Sequence, residues 1–171
     1  MVAHSPVGRP ARRKRVSARA GDPTFYRGDD YRIDESIGYL LRQLRVRMDR
    51  AVDAEMAEHD LTNVQWGPLL AIDFGLGDTA AELARVACVD TGAMTRMLDR
   101  LEAKGLVQRS RCPKDARVVR LELTGAGRRL CREIPYGLSR AWNGLLRGFS
   151  AQELATFKSL VRRMLTNAES N

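Results

Sequence analysis

The chain is poor in the residues on which most catalysis depends. It has two histidines in 171 residues, and His4 lies in a basic leader, so His59 is the domain's only one. No H-E-x-x-H, G-x-S-x-G or P-loop pattern occurs. Metalloprotease, α/β-hydrolase and P-loop chemistry therefore have no motif to rest on. Cys88, Cys112 and Cys131 are odd in number and lack C-x-x-C spacing. That argues against a disulfide scaffold and a metal site, and for a reducing compartment. An enzyme built on Cys112 or His59 would lack the paired base and orienting group that nucleophilic catalysis needs. No uncharged apolar run reaches the roughly 18 residues of a membrane span, and the basic N-terminus has no apolar segment behind it that would make a secretory signal. The expectation is a cytoplasmic protein without catalytic residues, metal or cofactor.

What the chain does have is positive charge, unevenly placed. There are 29 Lys and Arg against 21 Asp and Glu, a formal +8. Residues 1–21 hold Arg9, Arg12, Arg13, Lys14, Arg15 and Arg19 and no acid, whereas residues 22–171 carry 23 basic and 21 acidic side chains. With Pro6, Gly8, Pro10 and Gly21 and almost no large apolar residue, this leader reads as disordered. It is either a solvated leader or an arm that lies along nucleic-acid phosphate. The expected organisation is an arm over 1–30 and one domain over 31–171, long enough to bury a core without staples.

Helix starts are legible in the domain. Thr62–Gln65, Thr79–Glu82 and Ser150–Glu153 each read as a capping box, and Asp90 and Thr124 as N-caps. Gly105 stands where a helix-terminating glycine is wanted. Apolar spacing between these signals predicts helices over about 34–58, 63–73, 80–87, 91–104, 125–147 and 151–166, the fifth kinked at Pro135. Only 106–123 alternates like sheet. Val119, Leu121 and Leu123 face Val107, Arg109 and Arg111 across a turn at Cys112-Pro113-Lys114-Asp115, which is a two-stranded hairpin. The class is mainly α, with a small β-hairpin.

The third and fourth helices are joined by Cys88-Val89-Asp90 alone, a connection tight enough for a helix-turn-helix. In the fourth helix Met94, Met97, Leu98 and Leu101 face the core. Thr91, Gly92, Thr95, Arg96 and Arg100 stay outside. Gly92 and Ala93 let the backbone approach a major groove, Arg96 reaches guanine edges, and Thr95 reaches a thymine methyl or a phosphate. Asp99 is expected to pair with a basic neighbour. The hairpin adds Arg109, Arg111, Lys114, Arg117 and Arg120, which suit a wing with an arginine in a narrow minor groove.

The run Leu101-Glu102-Ala103-Lys104-Gly105-Leu106-Val107, Arg109, Pro113-Lys114-Asp115-Ala116-Arg117, Leu121-Glu122-Leu123-Thr124 and Gly127 closely resembles the multiple antibiotic resistance regulator (MarR) family. Leu61-Thr62, Gln65-Trp66, Leu69-Leu70 and Glu82-Leu83-Ala84 are similar to its second and third helices, so the resemblance covers about 33–166. It implies a homodimeric winged-helix regulator, commonly a repressor of its own or a neighbouring operon. The winged helix would span about 62–124, and the helices over 34–58 and 125–167 would build the dimer. It implies a near-palindromic double-stranded operator, and an Asp115 that orients Arg117. Independently, Ile134, Leu138, Trp142, Leu145, Leu146, Phe149, Leu154, Phe157, Leu160 and Leu165 give the last two helices more apolar surface than one pair can bury.

Many members of that family respond to small aromatic carboxylates or phenols. Candidate contacts are Tyr39, Met48, His59 and Trp66, with Arg42 or Arg45 as the cation. Core packing for Trp66 and Met48, and a solvated face for the arginines, are the plainer alternatives. Thiol control is a second route. Cys112, beside Arg111 and Lys114, is its best candidate, whereas Cys88 and Cys131 read as buried filler. An architectural protein that binds DNA with little sequence preference is the alternative from another class.

Overall fold

The computed structural model describes residues 24–112 and 115–170; the basic leader, Pro113 and Lys114 lie outside the described residues. The chain divides into two compact units, one ending at Leu40 and one beginning at Leu41. In the first, the Tyr26 and Tyr31 rings stack at a tilt, 5.7 Å between centroids. The Tyr26 hydroxyl accepts the Ile37 N–H at 2.9 Å. Ser36 Oγ accepts the Tyr39 N–H at 3.2 Å, a serine cap at the start of α1 (Ile37–Met56). The helix therefore starts three residues later than its apolar stripe suggests. A 3-10 turn, Ala57–His59, follows it.

The helices α2 (Trp66–Asp73), α3 (Ala80–Ala87), α4 (Thr91–Ala103), α5 (Gly125–Leu145) and α6 (Ala151–Glu169) follow, with the hairpin β1 (Val107–Cys112) and β2 (Asp115–Leu123) between α4 and α5. The start of α2 corrects the expectation of Asn63. Only half of the Thr62 box forms: Gln65 Oε1 accepts the Thr62 N–H at 3.0 Å, and Gln65 itself is the cap residue. Pro68 supplies the reason. A helix from Asn63 would need an N–H from Pro68, whereas a start at Trp66 puts proline in the first turn, where no such bond is required. Asp53 also takes the Asn63 N–H at 2.7 Å, which holds that residue in the turn. The boxes at Thr79/Glu82 and Ser150/Glu153 form in full. Helix α5 runs through Pro135 without a break and stops at Leu145, two residues early; α6 runs three residues past its expected end.

The hairpin register is the expected one, with Val107 opposite Leu123, Arg109 opposite Leu121 and Arg111 opposite Val119, and an irregularity follows between Arg111 and Cys112. Gly105 (φ +66°) closes α4: its N–H donates to Glu102 O at 2.8 Å, and the Leu106 N–H to Leu101 O at 3.0 Å. This paired closure satisfies two end carbonyls and turns the chain into β1. Thr124 then ties the far end of the hairpin back. Its hydroxyl lies 2.6 Å from Gly105 O and accepts the Gly127 N–H at 3.0 Å. Gly127 packs so closely on the Leu106 carbonyl that a Cβ there would overlap its oxygen.

One core joins Val52 and Met56 of α1, Leu69 of α2, Leu83 of α3, Met94, Leu98 and Leu101 of α4, Val107, Leu121 and Leu123 of the hairpin, and Cys131 and Ile134 of α5. Arg140 links α5 back to α1 through Glu55 at 2.7 Å. Helix α6 contributes no buried residue. No helix among the described residues is long and apolar enough to cross a membrane.

Candidate nucleic-acid interface

The helix-turn-helix is fixed by local chemistry at both ends of its turn. Helix α3 starts at the Thr79 box, where backbone hydrogen bonds from Asp78, followed by the Thr79 hydroxyl, hold the Glu82 carboxyl below its ordinary pKa. It ends on Cys88 in the left-handed region (φ +54°), with the Val89 N–H reaching back to Ala84 O at 3.0 Å. Two residues later Asp90 caps α4 by accepting the Ala93 N–H at 2.8 Å.

Helix α4 sorts its faces as the spacing requires. Met94, Leu98 and Leu101 are buried, and Thr91, Gly92, Thr95, Arg96 and Arg100 are exposed. Ala93 is half-buried, and so is Met97, which packs against the core. The Thr95 hydroxyl donates to Thr91 O at 2.8 Å. While that bond holds, Thr95 has no hydrogen to give a phosphate; its methyl can still meet a thymine methyl, and its oxygen can still accept from an adenine or cytosine amino group.

The hairpin is pinned to the lobe by two of its own arginines. Arg109 bridges Asp99 at 2.6 Å and Glu102 at 2.7 Å, so Asp99 does pair with a basic neighbour. The hydrogen bond to Asp99 is the main cause that holds the Arg109 guanidinium's pKa above its ordinary value. Arg120 pairs with Asp78, whose carbonyl also accepts the Leu121 N–H at 2.7 Å. Two of the five basic wing residues, Arg109 and Arg120, thus hold the wing in place. Arg111 is exposed. Lys114, and the side chains of Cys112, Asp115 and Arg117, lie outside the described residues. Asp78 was missed in the sequence because nothing local marks a loop acid 42 residues from its arginine as that arginine's partner.

Behind the helix-turn-helix lies an apolar cleft of about 400 Å³, walled by Trp66, Phe74, Leu76, Val86 and Met97 and edged by Arg45. Two sequence candidates, Arg45 and Trp66, meet there. Arg42 is exposed, and Met48 and His59 are half-buried; none of the three is in the lining. Tyr39 is exposed on the first turn of α1. Arg45 Nε already donates to Asp49 at 2.7 Å. Trp66 Nε1 is buried and has no hydrogen-bond partner among the described residues. A larger groove of about 660 Å³ beside β2 is polar, lined by Asp73, Asp78, Glu82, Arg120, Glu122 and Arg128.

The thiols divide differently from expectation. Cys131 is buried, and burial pushes its pKa up to about 11, with Asp73 adding to the rise. Cys88 is exposed rather than buried, because the residue that closes a helix in the left-handed region sits outside its apolar face.

A profile described as the MarR family matches residues 76–119, from the approach to α3 into the hairpin. The multiple antibiotic resistance protein MarR of Escherichia coli (strain K12) is 33% identical over 130 residues, which is 75% of this chain and 90% of that protein. A mutant E. coli MarR crystallised with operator DNA superposes with a TM-score of 0.71 at 33% identity, covering 75% of this chain and 93% of the other. Bordetella bronchiseptica BpsR, whose DNA binding is regulated by 6-hydroxynicotinic acid, superposes with a TM-score of 0.72 at 25% identity, covering 78% and 96%. With the capped helix-turn-helix, the exposed face of α4 and the clamped hairpin, these likenesses establish that the chain belongs to the MarR family of DNA-binding, winged-helix transcriptional regulators.

Proposed function

We propose that the protein is a homodimeric repressor of its own or a neighbouring operon, which reads a near-palindromic operator and is released by a small aromatic ligand. The observation that carries DNA reading is the exposed N-terminal face of α4, set beside a hairpin held by Arg109 and Arg120. Thr91, Gly92, Ala93, Thr95, Arg96 and Arg100 enter the major groove; Arg111, Lys114 and Arg117, the last oriented by Asp115, follow the backbone and minor groove. The protein works in the cytoplasm, at the nucleoid when bound.

Dimerisation is supported by what α6 leaves uncovered. Phe157, Leu160, Met164 and Leu165 are 42–60% exposed, and Phe149 just before the helix is 53% exposed. A twofold pairing of α5 and α6 would cover that surface and set two α4 helices about one DNA turn apart. The apolar cleft at Trp66 supports ligand control, and BpsR's response to an aromatic acid agrees with it.

The test is fluorescence-anisotropy binding to the intergenic DNA upstream of its own gene, against a scrambled fragment at physiological ionic strength. Selective binding is expected. Arg96→Ala should cost roughly 1–3 kcal/mol and relax preference at one base pair. Arg111→Ala should weaken both fragments and lower the salt slope by about 0.9. Equal, steeply salt-dependent binding to both fragments would replace this reading with an architectural one. Loss of operator affinity on peroxide treatment, abolished by Cys112→Ser, would replace ligand release with thiol control.

A further inference from the structure

The two arginines that pin the hairpin work from opposite faces of it. Arg109 and Leu121 are partners across the strands, so their side chains share a face. That face lies on α4, where Leu121 is buried and Arg109 bridges Asp99 and Glu102. Arg120 precedes Leu121 on β2, opposite Ser110, and so belongs to the other face. There it meets the carboxylate of Asp78, in the turn that leads into α3. The two sets of ion pairs grip adjacent rungs, and the next rung toward the tip, Arg111 with Val119, lies beyond both.

Asp78 can anchor the wing because it is itself held. Its N–H donates to Glu82 Oε2 at 3.1 Å, the oxygen that also accepts the Thr79 hydroxyl at 2.9 Å. Its carbonyl accepts the Leu121 N–H at 2.7 Å. Gly77 lets the chain lie this close, since a Cβ there would stand 2.8 Å from Glu82 Cβ. Both backbone bonds remain when the carboxylate is neutralised. What the carboxylate adds is a side-chain grip on the outer face. A two-stranded hairpin has little stability of its own, so its direction depends on what it is tied to.

We propose that Asp78 is a positioning residue for DNA reading: through Arg120 it sets the pitch of the wing and so brings Arg111 to the phosphate backbone. This rests on the reading of the hairpin as a DNA-contacting wing. Its signature is a reversed sign. Removing an acid from a protein that binds a polyanion ordinarily tightens binding. Here the loss of Asp78's charge weakens it.

The experiment measures binding of the full chain to two duplexes by fluorescence anisotropy. One is selected by the natural chain from a random-sequence library, and the other is its scrambled counterpart. Asp78→Asn should weaken binding to both about fivefold, which is what one phosphate contact supplies at about 0.15 M salt, and should lower the salt slope by about 0.9 although no base has been removed. Hydroxyl-radical footprints on the selected duplex should lose the flanking protection given by the wing and keep the protection given by α4. Added to Arg120→Gln, Asp78→Asn should cause no further loss, because the contact it acts through is already gone. Thermal melts establish that each variant is folded at the assay temperature. Binding by Asp78→Asn that is unchanged or tighter overturns the proposal, as does a full further loss in the Arg120→Gln background. A natural chain that prefers neither duplex would remove the operator reading alone, since the wing's grip is still read on the scrambled DNA.

Discussion

Helices α4 and α6 start from equally clear signals and end in opposite circumstances. Asp90 caps one and a full Ser150/Glu153 box caps the other, and each carries an apolar stripe at helical spacing. Helix α4 buries Met94, Leu98 and Leu101 against its own chain, whereas α6 buries nothing. Capping and periodicity decide that a helix forms and which face is apolar. They do not decide what covers that face. In α4 the cover comes from α3 and the hairpin, whereas among the described residues nothing buries the α6 stripe.

This contrast can be broken most directly by truncating both stripes. Leu98→Ala, at a side chain 1% exposed, should cost about 2–5 kcal/mol in urea unfolding, at any protein concentration. Leu160→Ala, at a side chain 45% exposed, should cost little in the monomer and lower Tm mainly by weakening the proposed dimer. Sedimentation of Leu160→Ala should show a weakened dimer. A Leu160 variant that dissociates at the same concentration as the natural chain would remove α6 from the interface.

The next effect concerns how the winged-helix lobe is locked. Thr124 both caps α5 and grips the end of α4, so Thr124→Ala should cost at least as much as an ordinary cap, about 1–2 kcal/mol. Thr79→Ala should lie near the lower end of that range, since its hydroxyl serves its own helix alone. The two boxed acids also set a pH limit. Glu82 and Glu153 have lowered pKa values in the folded state, chiefly from backbone hydrogen bonds from Asp78 and Ser150. Their contribution is present above the ordinary glutamate range and is lost as pH falls through the folded values. Acid unfolding of Glu82→Gln should therefore be less steep below about pH 4.3 than that of the natural chain.

The smallest effect sharpens the contrast between the two thiols whose surroundings are described. Alkylation of the native protein should modify Cys88 and spare Cys131, as read by peptide mass spectrometry. Cys88→Gly should stabilise by up to about 1 kcal/mol, because a residue with a Cβ is strained in the left-handed region that closes α3. No gain would mean that the Cys88 side chain, which reaches toward Arg85 O at 3.8 Å, offsets the strain.

Much of the lobe was legible because its signals are local. The caps at Thr79, Asp90, Thr124 and Ser150, the turn at Gly105 and the hairpin register each depend on residues a few positions apart. The second helix was misplaced because a Thr-x-x-Gln pattern was weighed without Pro68, although the proline was equally visible. The division of labour among the wing arginines was not legible for another reason. Arg109 and Arg120 look like Arg111 in a sequence, and their engagement depends on Asp99, Glu102 and Asp78 coming near in space.

The sequence by itself determined six helices, one hairpin, their order and the outward face of α4, since hydrogen bonding within a turn and the 3.6- and 2-residue periods are properties of neighbouring residues. Tertiary structure alone decided which arginines remain available, which thiol is exposed, and that Arg45 and Trp66 meet at one cleft while Arg42, Met48 and His59 do not. Ion pairing, burial and cavity shape depend on distances between residues tens of positions apart, and only the packed chain sets those distances.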